Sequence, residues 1–319
     1  MLKTNIVLMY GLPASGKSHI CESYREDGYV IISRDEEGGS TTGLLPLVHK
    51  ELNKGLNVVV DGANYLTKIR KEFIDFAHSN GYTIGLHGIT TNSDDCLINS
   101  LNRMFDKTGK VFMDINAVTE EAKKIPNIFV ISGVFNIKKK AEPPTIQEDF
   151  DDMEYDHFER IDKYEYPNKA LFIDLDGTVR TNKGSFAYPL KRSEVVLLPN
   201  IHQKLNLHKI AGYKIIAVSN QSGVGKGILT YESAKDCIEY TNELLGGVID
   251  DYHFCHHSPP PKEMCYCRKP QSGMGIYFMH KYQLDLIQCI MVGDRTEDKT
   301  FAKRLGMKYY HPDEFFKQE

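Results

Sequence analysis

The chain has 319 residues, of which 41% are hydrophobic, 26% charged and 10% aromatic, a composition typical of soluble globular proteins and a length beyond one core of ordinary size. A net charge of -4 gives no general attraction to nucleic acid, so a polynucleotide would have to be held by local basic groups, and no apolar run approaches the ~20 residues of a membrane span. Seven cysteines, with Cys21, Cys96, Cys237 and Cys289 scattered and three crowded between 255 and 267, argue against a disulfide framework and for a reducing, cytoplasmic setting with one metal site.

Met1 to Asn5 leads into a strand-like run that ends in a glycine loop, not in a small-residue cleavage site, so secretion is not expected. Strand-like runs at Asn5–Met9, Tyr29–Ile32, Asn57–Val60 and Tyr82–His87, then at Ala170–Asp174, Tyr213–Ser219, Asp250–Phe254 and Leu286–Val292, alternate with helix-length segments. That alternation predicts an α/β protein of two doubly wound parallel-sheet domains. The intervening Lys138–Asn168 starts with three lysines, passes Pro143-Pro144 and turns acidic from Gln147, which reads as a linker. Domains of 1–160 and 161–319 are expected.

Gly11-Leu12-Pro13-Ala14-Ser15-Gly16-Lys17-Ser18 follows an apolar strand and precedes a helical segment, the context that makes a glycine loop a phosphate cradle. Gly11 and Gly16 let main-chain N–H groups face the phosphates, Lys17 reaches the β/γ oxygens and Ser18 can hold Mg²⁺, so ATP is the expected donor. The second strand runs into Ser33-Arg34-Asp35, which places Asp35 at the carboxyl edge of the sheet, either as the base for an attacking hydroxyl or as a helix cap. Asp61, at the end of the third strand, is an acid beside the metal and lysine or a plain loop residue.

These runs, together with Lys54-Gly55 ahead of Asp61 and Asn64, resemble the kinase module of polynucleotide kinase–phosphatases, a P-loop NTPase fold. The resemblance extends to Leu101-Asn102-Arg103 as the lid and to Lys140 through Thr145 as the closing stretch. It implies Arg103 and Lys107 as lid cations on the transferred phosphoryl group and Arg34 as a substrate contact. Lys107 stands where an arginine is expected, a point charge in place of a bidentate fork.

Leu171-Phe172-Ile173-Asp174-Leu175-Asp176-Gly177-Thr178 carries two carboxylates two residues apart at a strand end, which alternation sends to the same side, toward one phosphate and one Mg²⁺. Asp174 is the expected nucleophile and Asp176 the acid and base. Ser219-Asn220, Lys269 and Asp294 follow at later strand ends, the last completing the Mg²⁺ site with Asp174 and Asp176. Together these four motifs resemble the haloacid dehalogenase superfamily, which implies a Rossmann-like fold, roles for Ser219 and Lys269 in catalysis, and Asn220 and Arg268 on the substrate. Asp298 is either a surface acid or a residue supporting the metal.

Cys255-His256-His257 and Cys265-Tyr266-Cys267 resemble the histidinol-phosphate and heptose-bisphosphate phosphatase branch of that superfamily. This implies structural Zn²⁺ on Cys255, His257, Cys265 and Cys267, with His256 and His253 as other choices for the histidine.

A kinase and a phosphatase acting on one position would cancel, so their fusion makes sense on different positions. The expected function is end repair of DNA or RNA: ATP-dependent phosphorylation of 5′-hydroxyl ends and hydrolysis of 3′-phosphate ends, leaving ends for a ligase. The alternative is a small-molecule kinase fused to a sugar- or histidinol-phosphate phosphatase.

Overall fold

The computed structural model describes residues 1–125, 128, 131–158 and 164–317. Its strands are β1 (Ile6–Tyr10), β2 (Val30–Ser33), β3 (Val58–Asp61), β4 (Ile84–Ile89), β5 (Asp152–Asp156), β6 (Lys169–Ile173), β7 (Arg180–Asn182), β8 (Val195–Leu197), β9 (Tyr213–Asn220), β10 (Asp251–Cys255), β11 (Ile290–Val292) and β12 (Lys308–Tyr310). β1 to β5 form one sheet in the order β2-β3-β1-β4-β5, and β10-β9-β6-β11-β12 form a second, both wholly parallel, with β7 and β8 as a small antiparallel pair.

Apolar residues on both sides of the central strands explain this arrangement, because a strand buried on two faces needs continuous β-branched or aliphatic side chains. In the first sheet Ile6, Leu8, Val58 and Val60 pack against α3 (Leu45–Leu52) and α4 (Thr67–Ser79), while Val7, Met9 and Val59 face α1 (Lys17–Glu26). The second sheet likewise packs Ile173, Ile215 and Val292 against α8 (Ile201–Ile210) and α10 (Tyr231–Leu244). On its other face Phe172 lies against Phe278 of α11 (Gly273–Tyr282) and Phe301 of α12 (Thr296–Leu305). The remaining helices are α2 (Arg34–Glu37), α5 (Ser93–Thr108), α6 (Ile115–Lys124), α7 (Ile131–Lys140), α9 (Ser222–Gly225) and α13 (Pro312–Phe315). Among the described residues no helix is long and apolar enough to cross a membrane.

The stretch read as a linker contains regular elements, among them a turn of 3₁₀ helix at Ile146–Glu148. Lys138, Lys139 and Lys140 are the last turn of α7, where cations complement the helix dipole, and the acidic Asp152–Asp156 is the edge strand β5 paired with β4. Edge strands are held chiefly by main-chain hydrogen bonds and need little apolar content, which is why β5 and the second edge strand β12 lack a strong sequence signal. Leu286–Val292 is not a single strand: Leu286–Gln288 is a turn of 3₁₀ helix capped by Asp285, and β11 starts at Ile290.

The chain separates into a first unit of Met1–Lys107 with Val118–Ile161 and a second of Thr108–Ala117 with Asp162–Glu319. The expected boundary at 160/161 lies outside the described residues. The division is also discontinuous, since the ten residues Thr108–Ala117, from the last of α5 through the first three of α6, belong to the second unit.

Candidate active sites

In each sheet the first strand in sequence, β1 or β6, is central and flanked by strands reached in opposite directions, so a crevice opens at its carboxyl end. In the first unit the glycine loop turns from β1 into α1. Gly16 immediately precedes the helix with φ +103°, in the left-handed region that favours glycine. Lys17 starts α1, buried, its ammonium donating to the carbonyls of Gly11 at 3.1 Å and Leu12 at 2.7 Å. Ser18 Oγ donates to Asp61 Oδ2 at 3.2 Å, which joins the helix start to the end of β3.

A cavity is lined by the loop from Pro13 to Ser18 together with Arg34, Asp35, Asp61 and Arg103. Burial pushes the Lys17 pKa down and the Asp61 pKa up, each opposed by the other's charge. Arg103 on α5 is also held below its usual value by burial, against the pull of Asp35 and Asp61. Asp35 is exposed in the short α2 directly after β2. Gly11 and Lys107 do not line this cavity, although Lys107, exposed on the last turn of α5, lies within electrostatic reach of Arg103 and Asp35. The glycine loop with Lys17, the carboxylates of Asp35 and Asp61 and the guanidinium groups of Arg34 and Arg103 are therefore brought together from four elements.

In the second unit Asp174 follows β6, Asp294 follows β11 and Asp298 lies on the first turn of α12; one carboxylate oxygen from each falls within 4.8 Å of the others. Lys269 Nζ joins Asp174 Oδ1 and Asp298 Oδ1, each at 2.6 Å. Burial acts to discharge this lysine, yet the two carboxylates outweigh it and hold its pKa above the usual value. Burial also pushes the Asp174 pKa up to about 7, against the downward pull of Lys269. Gly177, at φ +89°, is required by the backbone and by space, because a Cβ there would run into the Asp294 carboxylate.

Asp176, expected as a further Mg²⁺ ligand, is not among these three clustered carboxylates and has its own partners. Arg180 Nε donates to its Oδ1 at 2.8 Å and Gln221 Nε2 to its Oδ2 at 2.6 Å. Ser219 Oγ accepts from the same Gln221 amide at 2.9 Å. Asn220 holds the main chain of Lys269 from both sides, donating to its carbonyl and accepting from its N–H at 3.0 Å each, so it positions the lysine. Arg268, next to it, has a buried Nη1 with no protein partner.

Arg180, Gln221 and Asp298 carry parts of the site that sequence reading missed or left open. The Asp298 signal was its place one helical turn after Asp294; Arg180 offered none. Its side chain is fully buried, donating also to Cys237 O at 2.8 Å and Thr241 Oγ1 at 2.9 Å. Arg180→Met is expected to leave the Asp176 carboxylate unpaired and to cost about 3–5 kcal/mol of stability. Denaturant unfolding of the purified variant measures this.

Cys255, His257, Cys265 and Cys267 each place a ligand atom within 4.8 Å of the others. The Cys255 and Cys265 sulfurs are 3.6 Å apart and His257 Nδ1 is 3.3 Å from the Cys267 sulfur, close to the ~3.8 Å that a tetrahedral ion with ~2.3 Å bonds to sulfur imposes. The donor set thus fits zinc. His256 stacks on His257 with ring centroids 4.2 Å apart, and among the described residues neither it nor His253 joins the four.

Residues 169–316 match the family model described as polynucleotide kinase 3 phosphatase. Over 145 residues the chain is 36% identical to a protein described as a probable D-glycero-D-manno-heptose-1,7-bisphosphate 7-phosphatase of Thermoplasma volcanium, covering 44% of this chain and 96% of that protein. Against the D-glycero-beta-D-manno-heptose-1,7-bisphosphate 7-phosphatase of Helicobacter pylori the identity is 33% over 135 residues, 41% of this chain and 75% of the other. Among solved structures, the Pnkp1/Rnl/Hen1 RNA repair complex includes a chain matched over 96% of this chain and 94% of its own length, at 15% identity and a TM-score of 0.32.

Proposed function

We propose, given that the chain belongs through its C-terminal half to the haloacid dehalogenase-type phosphatases, that it repairs nucleic-acid ends, removing 3′-phosphates there and phosphorylating 5′-hydroxyls with ATP in the N-terminal half. One observation carries this reading: a cavity lined by the glycine loop and Lys17 and a carboxylate cluster around Asp174 occur in one chain, two places suited to phosphate chemistry of opposite kinds. The match of residues 169–316 to the polynucleotide kinase 3 phosphatase model supports the nucleic-acid end as substrate.

In the phosphatase, a carboxylate oxygen of Asp174 attacks phosphorus and the ester oxygen departs with a proton from Asp176. This leaves an aspartyl-phosphate and a free hydroxyl end. Asp176 then takes a proton from the water that attacks the acyl phosphate, releasing inorganic phosphate and restoring Asp174. Arg180 and Gln221 fix the direction of the Asp176 carboxylate, while the Lys269 ammonium opposes the rise that burial imposes on the Asp174 pKa and so favours its ionised form. Asp174, Asp294 and Asp298 would hold Mg²⁺, which would offset the charge of the phosphate approached by an anion. In the kinase, Asp35 takes the proton of the 5′-hydroxyl as its oxygen attacks the γ-phosphorus, ADP leaves, and Lys17 and Arg103 stabilise the charge that moves onto the leaving oxygens. Arg34 lines the same cavity and would meet the acceptor strand.

The small-molecule reading is favoured by the 36% identity to a heptose-bisphosphate phosphatase. Offering a 3′-phosphorylated DNA or RNA oligonucleotide in parallel with heptose bisphosphate and histidinol phosphate separates the two. The oligonucleotide is expected to have a kcat/KM about 100-fold or more higher, a discrimination of roughly 2.7 kcal/mol in the transition state. A 5′-hydroxyl oligonucleotide with ATP tests the other half. Preference for the small phosphates would replace the end-repair reading with the metabolic one.

A further inference from the structure

Thr108–Ala117, which runs from the last residue of α5 into the first turn of α6, belongs to the second unit. Within that unit the segment meets the Cys/His cluster. Asp114 Oδ2 is 3.4 Å from Nε2 of His257, and Tyr266, set between Cys265 and Cys267, donates its N–H to the carbonyl of Met113 at 3.3 Å. The other Asp114 oxygen accepts from the N–H groups of Asn116 at 2.9 Å and Ala117 at 3.1 Å, at the start of α6. His257 therefore turns its two ring nitrogens to different tasks: Nδ1 to the sulfurs of Cys267 and Cys255, at 3.3 and 3.6 Å, and Nε2 to the carboxylate. A carboxylate on the far nitrogen selects the tautomer that leaves the near one free to bind a metal, and it makes that nitrogen a stronger donor.

We infer that Asp114 is the positioning residue for His257 in this metal centre, and that metal binding in turn holds residues 108–117 in place. The inference rests on the four Cys/His ligands taking a divalent ion, and it is independent of which phosphate ester the enzyme prefers. Through chain continuity it has a consequence for the kinase reading, since α5, which carries Arg103, runs straight into this segment. Stripping the metal should then slow phosphoryl transfer as well as destabilise the phosphatase.

The test uses the full chain loaded with Zn²⁺, as wild type, Asp114→Ala and Asp114→Asn. Metal release into a chelating dye is expected to be about ten-fold or more faster for Asp114→Ala, the lower end of the effect of removing such a partner. Asp114→Asn should be intermediate, because its single amide oxygen can accept from Nε2–H or from the start of α6, whereas the carboxylate serves both at once. Trypsin cleavage after Lys110 should speed up in stripped wild type and in Asp114→Ala. Equal release rates for wild type and Asp114→Ala, or equal cleavage with and without metal, would overturn the inference, whereas a helix cap alone would leave the release rate unmoved. A wild-type chain that takes up no Zn²⁺ would remove the metal reading beneath it. Failure of the loaded wild type on oligonucleotides would instead count against the end-repair reading and leave the release and cleavage results to decide Asp114.

Discussion

Lys17→Ala is expected to lower 5′-kinase turnover roughly 10³-fold or more and to leave 3′-phosphatase turnover unchanged. The ammonium is buried at the start of α1 and hydrogen-bonded to the carbonyls of Gly11 and Leu12, groups it can exchange for phosphate oxygens. Burial also lowers its pKa, so an incoming polyphosphate both needs this charge and stabilises it. Removing one donor from a preorganised anion site costs ~10²–10³ in rate, and a full positive charge next to the transferred group costs more. The measurement is transfer of labelled γ-phosphate to a 5′-hydroxyl oligonucleotide, run beside phosphate release from a 3′-phosphorylated one. Loss of both activities would contradict two independent sites.

The reciprocal substitution, Asp174→Asn, is expected to reduce phosphatase turnover on the order of 10⁵-fold, to background, with the kinase retained. An amide matches the carboxylate in shape but is a poor nucleophile and forms no aspartyl-phosphate. It removes an anion whose pKa burial already pushes up to about 7, and Lys269 keeps Asp298 as a partner at 2.6 Å, so the fold should survive. A melting temperature within a few degrees of wild type, with phosphate release gone and no acid-labile phosphoryl-enzyme trapped on quenching, is the predicted result. Substantial residual turnover would show that another group attacks phosphorus.

Residues whose task follows from their immediate neighbours were legible in the sequence. A glycine loop between an apolar strand and a helix needs nothing distant to make a cradle, and Asp174, Asp35 and Asp61 are read from strand ends because the carboxyl edge of a parallel sheet collects ligands. The central strands were legible too, since burial on both faces leaves an unbroken apolar record, as in Val58-Val59-Val60. The resemblance named His257 as the ligand histidine and the cluster contains it; residue type alone could not choose it, because His253, His256 and His257 differ only in where their rings point.

The sequence by itself thus determined the two sheet-based units, the glycine loop and the carboxylates at the strand ends, all short-range consequences of periodicity and turn geometry. Only the tertiary structure decided that Asp298 joins Asp174 around Lys269, that Asp176 turns to Arg180 and Gln221, and that Asp114 reaches His257 across 143 positions. It also decided that an acidic stretch serves as the edge strand β5. Such pairings depend on distances between residues far apart in the chain, or on main-chain hydrogen bonds that every residue type except proline can make, and neither leaves a local pattern of side chains to read.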